Sequence, residues 1–427
     1  MSTNNEINLA LKEFSFGKKE SAYRKLKKIF KRNINDNQLR YNLAVIEQSL
    51  NLNEEAKKNY LYLIHDSGNI KAMVNLYLIY IKEENFVLAL NIIEKIIDNK
   101  FNSENIIKDK AFVLYKLKRF EESINICQKG LLEDLDLSYI NILGLNYLSK
   151  NLPEKAKEII KKGLSIDKNN AVLLNTLGRI YHETRDSNNA EKYLTKAYNI
   201  NKNSYEIINN LAGFYREESN YLKSINLYKK ALEINPQNPS LINNLAKVYF
   251  DFDKLELAKD YCIKALNINK SDGNIQKILA LIYFREHNFK DGWKFFDGRL
   301  NLSDFVEKNS SIVKIRNKLK TKEKKDLKSK ILVLREQGIG DEILYGTMYP
   351  DLLNKYSNVT IECDTRLKNI FKNSFHQNSN CFVDMGTISQ DEEALSKFDC
   401  AIYAGSLGTL FRDDIKKFDD GCFLYPD

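Results

Sequence analysis

The sequence predicts a mainly α-helical protein, in which paired helices stack into a right-handed superhelix and a small α/β domain with a parallel sheet follows. Three observations support this fold class. Only 5 prolines and 17 glycines occur in 427 residues, so long helices meet few breaks. Small residues recur at steps of 33 or 34 positions across residues 1–300, which is typical of stacked helical hairpins. After residue 330 short apolar runs alternate with helix-compatible segments, as in βαβ units.

Two series of mostly small residues define the repeat. The first series comprises Ala22, Ala56, Ala89, Ser123, Ala156, Ala190, Ser224, Ala258 and Gly292. The second series lies twelve positions upstream and comprises Ala10, Ala44, Tyr77, Ala111, Gly144, Gly178, Ala212, Ala246 and Ala280. The constant offset predicts that the two antiparallel helices of each hairpin touch where their side chains lack bulk.

Bulky residues stand three positions after the second series in the later repeats, and these rings are expected to fill the space between hairpins. They are Tyr147, Tyr181, Tyr215, Tyr249 and Tyr283. In the first two units Glu13 and Glu47 occupy the same position. This difference predicts a polar terminal cap or a locally looser end.

The period and pattern resemble the tetratricopeptide repeat, most clearly in NTLGRIYHETRDSNNAEKYLTKAYNINKN and NNLAGFYREESNYLKSINLYKKALEINPQNP. The resemblance covers residues 1–300 in about nine units. It implies a right-handed superhelix whose units bury their apolar faces against their neighbours and form a curved groove. A protein or peptide is the partner that such a groove implies.

The first helix of each repeat carries the residues expected to line this groove. Two positions before the second series stand Asn8, Asn42, Asn75, Asp109, Ile142, Thr176, Asn210, Asn244 and Ile278. Side-chain amides can both donate to and accept from the backbone of an extended peptide, whatever its side chains are. The repeat domain of O-linked N-acetylglucosamine transferases is similar, with an asparagine ladder in its groove. The alternative is that the chain is asparagine-rich throughout and that Asn141, Asn175, Asn209 and Asn243 are solvated.

The repeats run into DGWKFFDGRL, which contains Trp293, the only tryptophan. This segment resembles the GWxxYExR element at the junction between tetratricopeptide repeats and a glycosyltransferase domain in bacterial proteins. From the chemistry of indole we expect Trp293 to pack at the end of the repeats and not to act as a catalyst.

Residues 301–330 form a predicted basic linker with ten Lys or Arg and four Asp or Glu. A solvated hinge is the favoured interpretation. Attraction to an anionic membrane surface or weak, non-specific binding of nucleic acid are the alternatives. No motif for specific nucleic-acid recognition accompanies the charge.

Four apolar runs after residue 330 predict the strands of a parallel sheet: ILVL from Ile331, VTIEC from Val359, CFVDM from Cys381 and FDCAIYA from Phe398. The segments DEILYGTMYPDLLNKY and TRLKNIFKNSF between them are helix-compatible. The turn after the first strand holds Gly338 and Gly340, but Ile343 replaces the third glycine of a dinucleotide fingerprint, and no P-loop follows. Asp341 in this turn is either a helix cap or a general base.

The stretch REQGIGDEILYGTMYPDLL resembles the EQGLGDxxxxxxxxP stretch of glycosyltransferases linked to tetratricopeptide repeats and, more distantly, heptosyltransferases. The matching residues include Glu336, Gln337, Gly338 and Gly340. The resemblance implies a GT-B glycosyltransferase-like domain of the O-GlcNAc-transferase or heptosyltransferase type, with Asp341 as general base. Residues 331–427 correspond to its N-terminal, Rossmann-like half, so the half that holds a nucleotide-sugar is expected to be supplied elsewhere if the protein is an enzyme.

Two classes of function therefore stand side by side. The first is a protein-interaction scaffold with a truncated glycosyltransferase-like domain, and the second is a glycosyltransferase component that acts on a protein or glycan acceptor. No cofactor is expected. Six scattered cysteines without a CxxC pair and four isolated histidines argue against disulfides and a metal site. The N-terminus has no signal-peptide pattern and no window reads as a transmembrane segment, so a cytoplasmic location is expected.

Overall fold

The computed structural model describes residues 3–99, 101, 103–302, 329–336, 338–418, 421 and 423–424. Two compact units, Met1–Asn201 and Lys202–Asp427, divide the chain within the repeats. The predicted boundaries at residues 300 and 330 stay predictions. Most of the predicted basic linker lies outside the described residues.

The first unit consists of helices joined into successive hairpins. They are Thr3–Ser15 (α1), Lys19–Phe30 (α2), Asn37–Ser49 (α3), Asn53–Ser67 (α4), Ile70–Lys82 (α5), Phe86–Asp98 (α6), Glu104–Lys116 (α7), Phe120–Glu133 (α8), Leu137–Ser149 (α9), Pro153–Ile166 (α10), Ala171–Glu183 (α11) and Ser187–Ile200 (α12).

The second unit contains three further hairpins and the α/β segment. The hairpin helices are Tyr205–Glu217 (α13), Tyr221–Ile234 (α14), Pro239–Asp251 (α15), Leu255–Ile268 (α16), Gly273–Arg285 (α17) and Phe289–Phe296 (α18), followed by a 3-10 turn, Asp297–Asn301. The α/β segment comprises Ile331–Leu334 (β1), Ile339–Gly346 (α19), Tyr349–Lys355 (α20), Val359–Cys363 (β2), Thr365–Ser374 (α21), Phe382–Asp384 (β3), Glu392–Ser396 (α22), Cys400–Tyr403 (β4) and Gly408–Phe411 (α23). The predicted fold class, mainly α with hairpin repeats and a small parallel sheet, is confirmed.

Side-chain caps explain where the first helix of each hairpin from α3 onward begins. The capping residues are Asp36, Asn69, Ser103, Asp136, Asn170, Ser204, Asn238 and Asp272. Each accepts a hydrogen bond from a backbone N–H two or three residues further on, which satisfies an amide that the helix leaves unpaired. The caps therefore repeat the same start signal along the chain.

The two series of small residues meet inside the hairpins, as predicted. Ser123 Oγ donates to the carbonyl of Ala111 at 2.7 Å, and Ser224 Oγ donates to that of Ala212 at 2.7 Å. A Cβ added to Gly178 would lie 2.6 Å from Cγ of Leu194. The helices thus approach so closely that a hydroxyl can bridge them.

The turn inside each hairpin contains one residue in the left-handed region, a feature that the sequence did not suggest. Gly17 has φ +80°, and the later turns place Asn51, Glu84, Lys118, Asn151, Arg185, Ser219, Asp253 and His287 at φ between 57° and 61°. Only glycine adopts this conformation without steric cost. The hairpin geometry therefore imposes it on residues of unrelated chemistry.

The tyrosine position pairs with the residue twelve positions later in the same hairpin. Tyr181 stacks on Tyr193 with ring centroids 5.5 Å apart, and Tyr249 stacks on Tyr261 at 5.5 Å. Between hairpins, Lys157 of α10 lies over the Tyr181 ring, 5.3 Å from its centroid. The rings thus fill space within a hairpin as well as between hairpins.

At the same position in the first two hairpins, the glutamates make polar pairs instead. Glu13 accepts hydrogen bonds from Ser21 Oγ at 2.8 Å and from Lys25 Nζ. Glu47 accepts from Asn59 Nδ2 at 2.8 Å. An ion pair and an amide contact therefore replace the stacked rings of the later repeats.

The sheet has the order β3-β2-β1-β4, and all its strands are parallel. The four predicted strands are confirmed, the third as Phe382–Asp384 within the predicted run. The predicted helical segment after β1 is divided into α19 and α20, since Pro350 in the first turn of α20 cannot donate to a continuing helix. Strand order reverses next to β1, so the carboxyl ends of β1 and β4 form the topological switch point.

Candidate functional site

The first unit contains a cavity of about 800 Å³ on the face formed by the first helices of four successive hairpins. Its lining comprises Val74, Tyr77 and Leu78 of α5; Phe101 and Ser103 before α7; Asn105, Ile106, Lys108, Asp109 and Phe112 of α7; Leu137, Ser138, Asn141 and Ile142 of α9; and Asn170 and Val172 at the start of α11. Leu78, Phe101 and Val172 are 42%, 44% and 52% exposed. Apolar surface and a few polar groups are thus available to a ligand at one place.

Of the predicted groove row, Asp109 and Ile142 line this cavity, and several others make hydrogen bonds between neighbouring repeats. Asn75 Nδ2 donates to the hydroxyls of Tyr41 at 3.2 Å and Tyr60 at 3.1 Å. Thr176, which is buried, donates through Oγ1 to Asn141 Oδ1 at 2.6 Å. These contacts use polar groups that the sequence interpretation assigned to a peptide.

The two residues of the row nearest the N-terminus lie away from the cavity. Asn8 is exposed, and Asn42 accepts from Gln38 Nε2 at 3.1 Å. Neither is among the residues that line the cavity.

In the second unit, Asn210 and Asn244 are half-buried, and Asn244 Nδ2 donates to Asn209 Oδ1 at 2.9 Å. The interpretation that the asparagines one position earlier are solvated is wrong for Asn175 and Asn243, which are both 8% exposed. Packing between successive hairpins buries them. Asn75, Thr176 and Asn244 of the row therefore make contacts between repeats.

Asp109 is a half-buried carboxyl group in the lining of the cavity. Its Oδ2 accepts from the Tyr77 hydroxyl at 3.0 Å, and burial raises the pKa of the carboxyl although this hydrogen bond opposes the rise. The neighbouring Lys108 is paired with Asp136 at 2.7 Å and with Glu104 at 3.0 Å, which raises the pKa of Lys108. The cavity therefore presents a carboxylate whose adjacent lysine is engaged elsewhere.

The sequence did not predict several of the residues that line the cavity. Phe101, Asn105 and Asn170 lie in or next to the loops that connect hairpins, outside the row two positions before the small residues. Asn141 belongs to the position treated as solvated. The recurring caps before each first helix were the signal that could have located Asn170.

The loop that the sequence predicts to be glycosyltransferase-like lies after β1, in the second unit. Gly338 precedes α19, and its N–H donates to Asp341 Oδ2 at 3.2 Å. Asp341 is half-exposed, and Gly340 is exposed with open space where a Cβ would lie. Gln337 lies outside the described residues. Asp341 thus caps the helix from its third position, and its carboxylate still reaches solvent.

Glu336 is not on this surface but in a buried ion pair. Its carboxylate accepts from Arg299 Nε at 2.8 Å and from Arg299 Nη2 at 2.7 Å, and from the N–H of Gly405 at 2.6 Å. The side chains of Arg299 and Glu336 are 4% and 1% exposed. Asp297 and Ser406 complete the network, with Ser406 Oγ donating to Asp297 Oδ1 at 2.6 Å. The pair occupies the switch point between the carboxyl ends of β1 and β4.

Trp293 lies at the same joint. Its Nε1 donates to the carbonyl of Arg412 at 2.8 Å, and a Cβ on Gly408 would lie 2.2 Å from the indole. The expectation that Trp293 packs at the end of the repeats is confirmed, and its contact surface is the α/β segment.

A second buried carboxylate lies beside β1. Glu342 is fully buried, and it accepts from Arg335 Nε at 2.6 Å and from the N–H of Asp364 at 2.8 Å. Burial raises the pKa of Glu342. Both of its oxygens are used to join the carboxyl ends of β1 and β2.

Among the residues that the structure describes, no group of three or more His, Cys, Asp or Glu could hold a metal ion. Cys127, Cys262, Cys363, Cys381 and Cys400 are free thiols. Across the same described part of the chain, no helix combines the length and the apolar character needed to cross a bilayer.

Comparison with protein families matches part of the chain. A family model described as tetratricopeptide repeat matches residues 137–170, 171–204 and 239–272, and one described as TPR repeat matches residues 214–251. Neither of these two models extends beyond residue 272. Comparison with curated proteins gave no match.

Solved structures resemble the chain at low identity. A tetratricopeptide repeat protein from Parabacteroides merdae is 14% identical over 56% of this chain and 96% of its own, with a TM-score of 0.40. YrrB, described as a TPR protein with an unusual peptide-binding site, is 20% identical over 43% of this chain and 94% of its own, with a TM-score of 0.31. The APC/C hetero-tetramer Cut9–Hcn1 is 13% identical over 71% of this chain and 74% of its own, with a TM-score of 0.43. The family matches, together with the hairpin packing, show that this chain contains tetratricopeptide repeats.

Proposed function

We propose that this protein is an interaction scaffold that binds an extended peptide segment of a partner protein in the cavity of its first unit. The observation that carries the proposal is the cavity itself, where Leu78, Phe101 and Val172 remain accessible beside Asp109 and Asn105. Apolar anchors fix a peptide in a groove, and side-chain amides and carboxylates satisfy its backbone or polar groups. A cytoplasmic location accompanies this proposal as a prediction from the sequence.

The test is a selection from a randomised peptide library on the immobilised full-length protein, followed by calorimetry with a selected peptide. Val172→Trp is expected to fill the cavity and weaken binding by about tenfold or more. Leu222→Trp is the matched control, because Leu222 is also the second residue of its helix, is 66% exposed and lies outside the cavity. Equal affinity of both variants, or no enrichment over a bare support, would contradict the proposal.

A glycosyltransferase component is the second candidate function. The observation in its favour is Asp341, which lies at the start of the helix after β1 with its carboxylate half-exposed. In this role Asp341 is the general base that accepts a proton from an acceptor hydroxyl, and a donor half supplied elsewhere holds the nucleotide-sugar. The buried Arg299–Glu336 pair weighs against it, because the pair fills the switch point where α/β sheets usually bind ligands.

This second candidate is tested by calorimetry with nucleotide-sugars and by sugar transfer in cell lysate supplemented with the protein. Turnover that is lost in Asp341→Asn and kept in Asp260→Asn would support it, since Asp260 is an exposed aspartate of α16. Absence of donor binding at millimolar concentration, together with absence of transfer, would leave the scaffold alone.

A further inference from the structure

Asp109 differs from every other residue of the predicted groove row. The remaining members are uncharged: Asn8, Asn42, Asn75, Ile142, Thr176, Asn210, Asn244 and Ile278. Asp109 is also a member that lines the cavity of about 800 Å³. Lys108 and Asp109 are the charged residues of that lining.

The carboxylate of Asp109 lacks the cation that two buried carboxylates of the second unit possess. Glu336 is paired with Arg299, and Glu342 is paired with Arg335. Within the described residues, the Tyr77 hydroxyl is the hydrogen-bond donor to Asp109, and it contacts Oδ2. The other oxygen, Oδ1, is therefore available to a ligand.

Lys108 attracts the Asp109 carboxylate through its charge, but its ion pairs are with other carboxylates. Its ammonium contacts Asp136 at 2.7 Å and Glu104 at 3.0 Å. The one ammonium of Lys108 is thus shared between two carboxylates other than Asp109. A half-buried carboxylate in an apolar cavity attracts a cation more strongly than an exposed one, because solvent screens the pair less.

The cavity walls suit the stem of a long basic side chain. Val74, Tyr77 and Leu78 of α5 line the cavity with Asp109. Lysine and arginine place their methylene groups on apolar surface while the charged end makes polar contacts.

We propose that the cavity accepts a lysine or arginine side chain of the bound peptide, with its ammonium or guanidinium group on Asp109 and its stem along α5. This inference rests on the proposed function and gives the chemical class of its partner: an extended segment with a basic residue between apolar residues. Tyr77 acts as a positioning residue, because its hydroxyl fixes the carboxylate through Oδ2.

The first test is the composition of peptides selected from a randomised library by the full-length protein and by its Asp109→Asn variant. Asparagine keeps the shape of the side chain and an acceptor for Tyr77, and it already occupies this row at Asn75 and Asn244, so the fold is expected to persist. The expected result is enrichment of lysine or arginine by the wild-type protein, lost in Asp109→Asn. Selection of apolar or acidic peptides without a basic residue overturns the inference and leaves the scaffold function intact. Absence of any enrichment would contradict both this inference and the proposed scaffold function.

The second test is a thermodynamic cycle with one selected peptide and its version with norleucine, which has a similar length without the charge, in place of the basic residue. The replacement is expected to weaken binding to the wild-type protein by about tenfold or more and to change binding to Asp109→Asn much less. Asp260→Asn, an exposed control, is expected to behave as wild type. If norleucine weakens binding equally to the wild-type protein, Asp109→Asn and Asp260→Asn, the basic residue does not contact Asp109 and the inference is overturned.

Discussion

Two glutamates at equivalent positions of the first two repeats show how surroundings decide the effect of a charge. Glu13 bonds to Lys25 and Ser21, and the hydrogen bond to Lys25 is the main cause that lowers its pKa. Glu47 is 3% exposed, and burial raises its pKa although Asn59 opposes the rise. The same residue type therefore stabilises the fold in one hairpin and costs stability, when ionised, in the next.

We expect Glu47→Gln to raise the thermal stability of the protein at neutral pH. A folded-state pKa above the ordinary 4.5 means that Glu47 favours folding while protonated and loses this contribution as the pH rises through the raised value. Glutamine keeps an acceptor for Asn59 and carries no charge. The gain in Tm should shrink as the pH falls through the raised value towards 4.5, and thermal unfolding by circular dichroism measures it.

Glu13→Gln is the matched variant and has the opposite sign. Because the pKa of Glu13 is lowered, its stabilising contribution is complete above 4.5 and disappears as the pH falls through the lowered value. The substitution should lower Tm at neutral pH and change it little in acid. Equal pH profiles for the two variants would refute this account of both sites.

The residues at the hairpin turns give a further prediction. Ser219 is exposed and has φ +58°, where a β-branched side chain is strained. Ser219→Val is expected to lower the free energy of unfolding by about 1 to 2 kcal/mol, and Ser219→Gly is expected to be neutral or stabilising. Urea unfolding of both variants checks the difference, and a valine variant as stable as wild type would contradict it.

At the scale of the helical hairpin, the distance between the two helices depends on the size of one residue. A Cβ on Gly178 of α11 would meet Leu194 at 2.6 Å at the side chain and at 3.0 Å at its backbone nitrogen. A methyl group there must move α12 or distort Leu194. The glycine thus sets how closely this hairpin closes.

We expect Gly178→Ala to lower the free energy of unfolding by about 1 to 3 kcal/mol. The higher helix propensity of alanine offsets part of the steric cost. Gly213 of α13 is a matched control, because the nearest atom to its added Cβ is the Tyr228 hydroxyl at 3.5 Å, an ordinary contact. Gly213→Ala should raise the free energy of unfolding by up to about 1 kcal/mol. Denaturant midpoints of the two variants decide the matter, and a stabilised Gly178→Ala would contradict the close approach.

The elements that the sequence predicts well are those whose signal is local. Small residues such as Ala44 and Ala56 occur at nearly every hairpin contact, so their spacing predicts the repeat from the sequence. The strand ILVL is fully buried on both faces, and its uninterrupted apolar run indicates this. Such features follow from one residue and its immediate neighbours.

The features that the sequence did not reveal depend on contacts between distant residues. Arg299 and Glu336 are separated by 37 positions and by the predicted basic linker, and neither belongs to a periodic pattern. The cavity combines helix residues with Phe101 and Asn170 near the loops. The turn residues Arg185 and Ser219 share a backbone conformation but no side-chain chemistry, so no residue type signals it.

At the scale of the whole molecule, the last hairpin and the α/β segment are joined through a buried charge network. Removing one partner leaves the other charge buried without compensation, which costs about 3 to 5 kcal/mol in comparable pairs. We therefore expect Glu336→Gln to increase hydrogen exchange at the amides of β1 and β4 in the full-length protein. The double replacement Arg299→Met with Glu336→Leu should cost less than the sum of its single changes.

The control for this prediction is an ion pair on the surface. Lys162 and Glu158 are each 66% exposed, and Glu158→Gln is expected to leave exchange in the sheet unchanged. Hydrogen–deuterium exchange measured by mass spectrometry distinguishes Glu336→Gln from Glu158→Gln. Unaltered protection of β1 and β4 in Glu336→Gln would mean that the pair does not hold this joint.

Trp293 gives the joint an intrinsic optical signal. It is the only tryptophan in the chain, and its ring lies against Phe284, Phe296 and Gly408, with Nε1 on the carbonyl of Arg412. Separation of the α/β segment from the last hairpin would expose the indole to water and shift its fluorescence emission to longer wavelength. Detachment at this one place can therefore be followed in the unlabelled protein while the remaining hairpins stay folded.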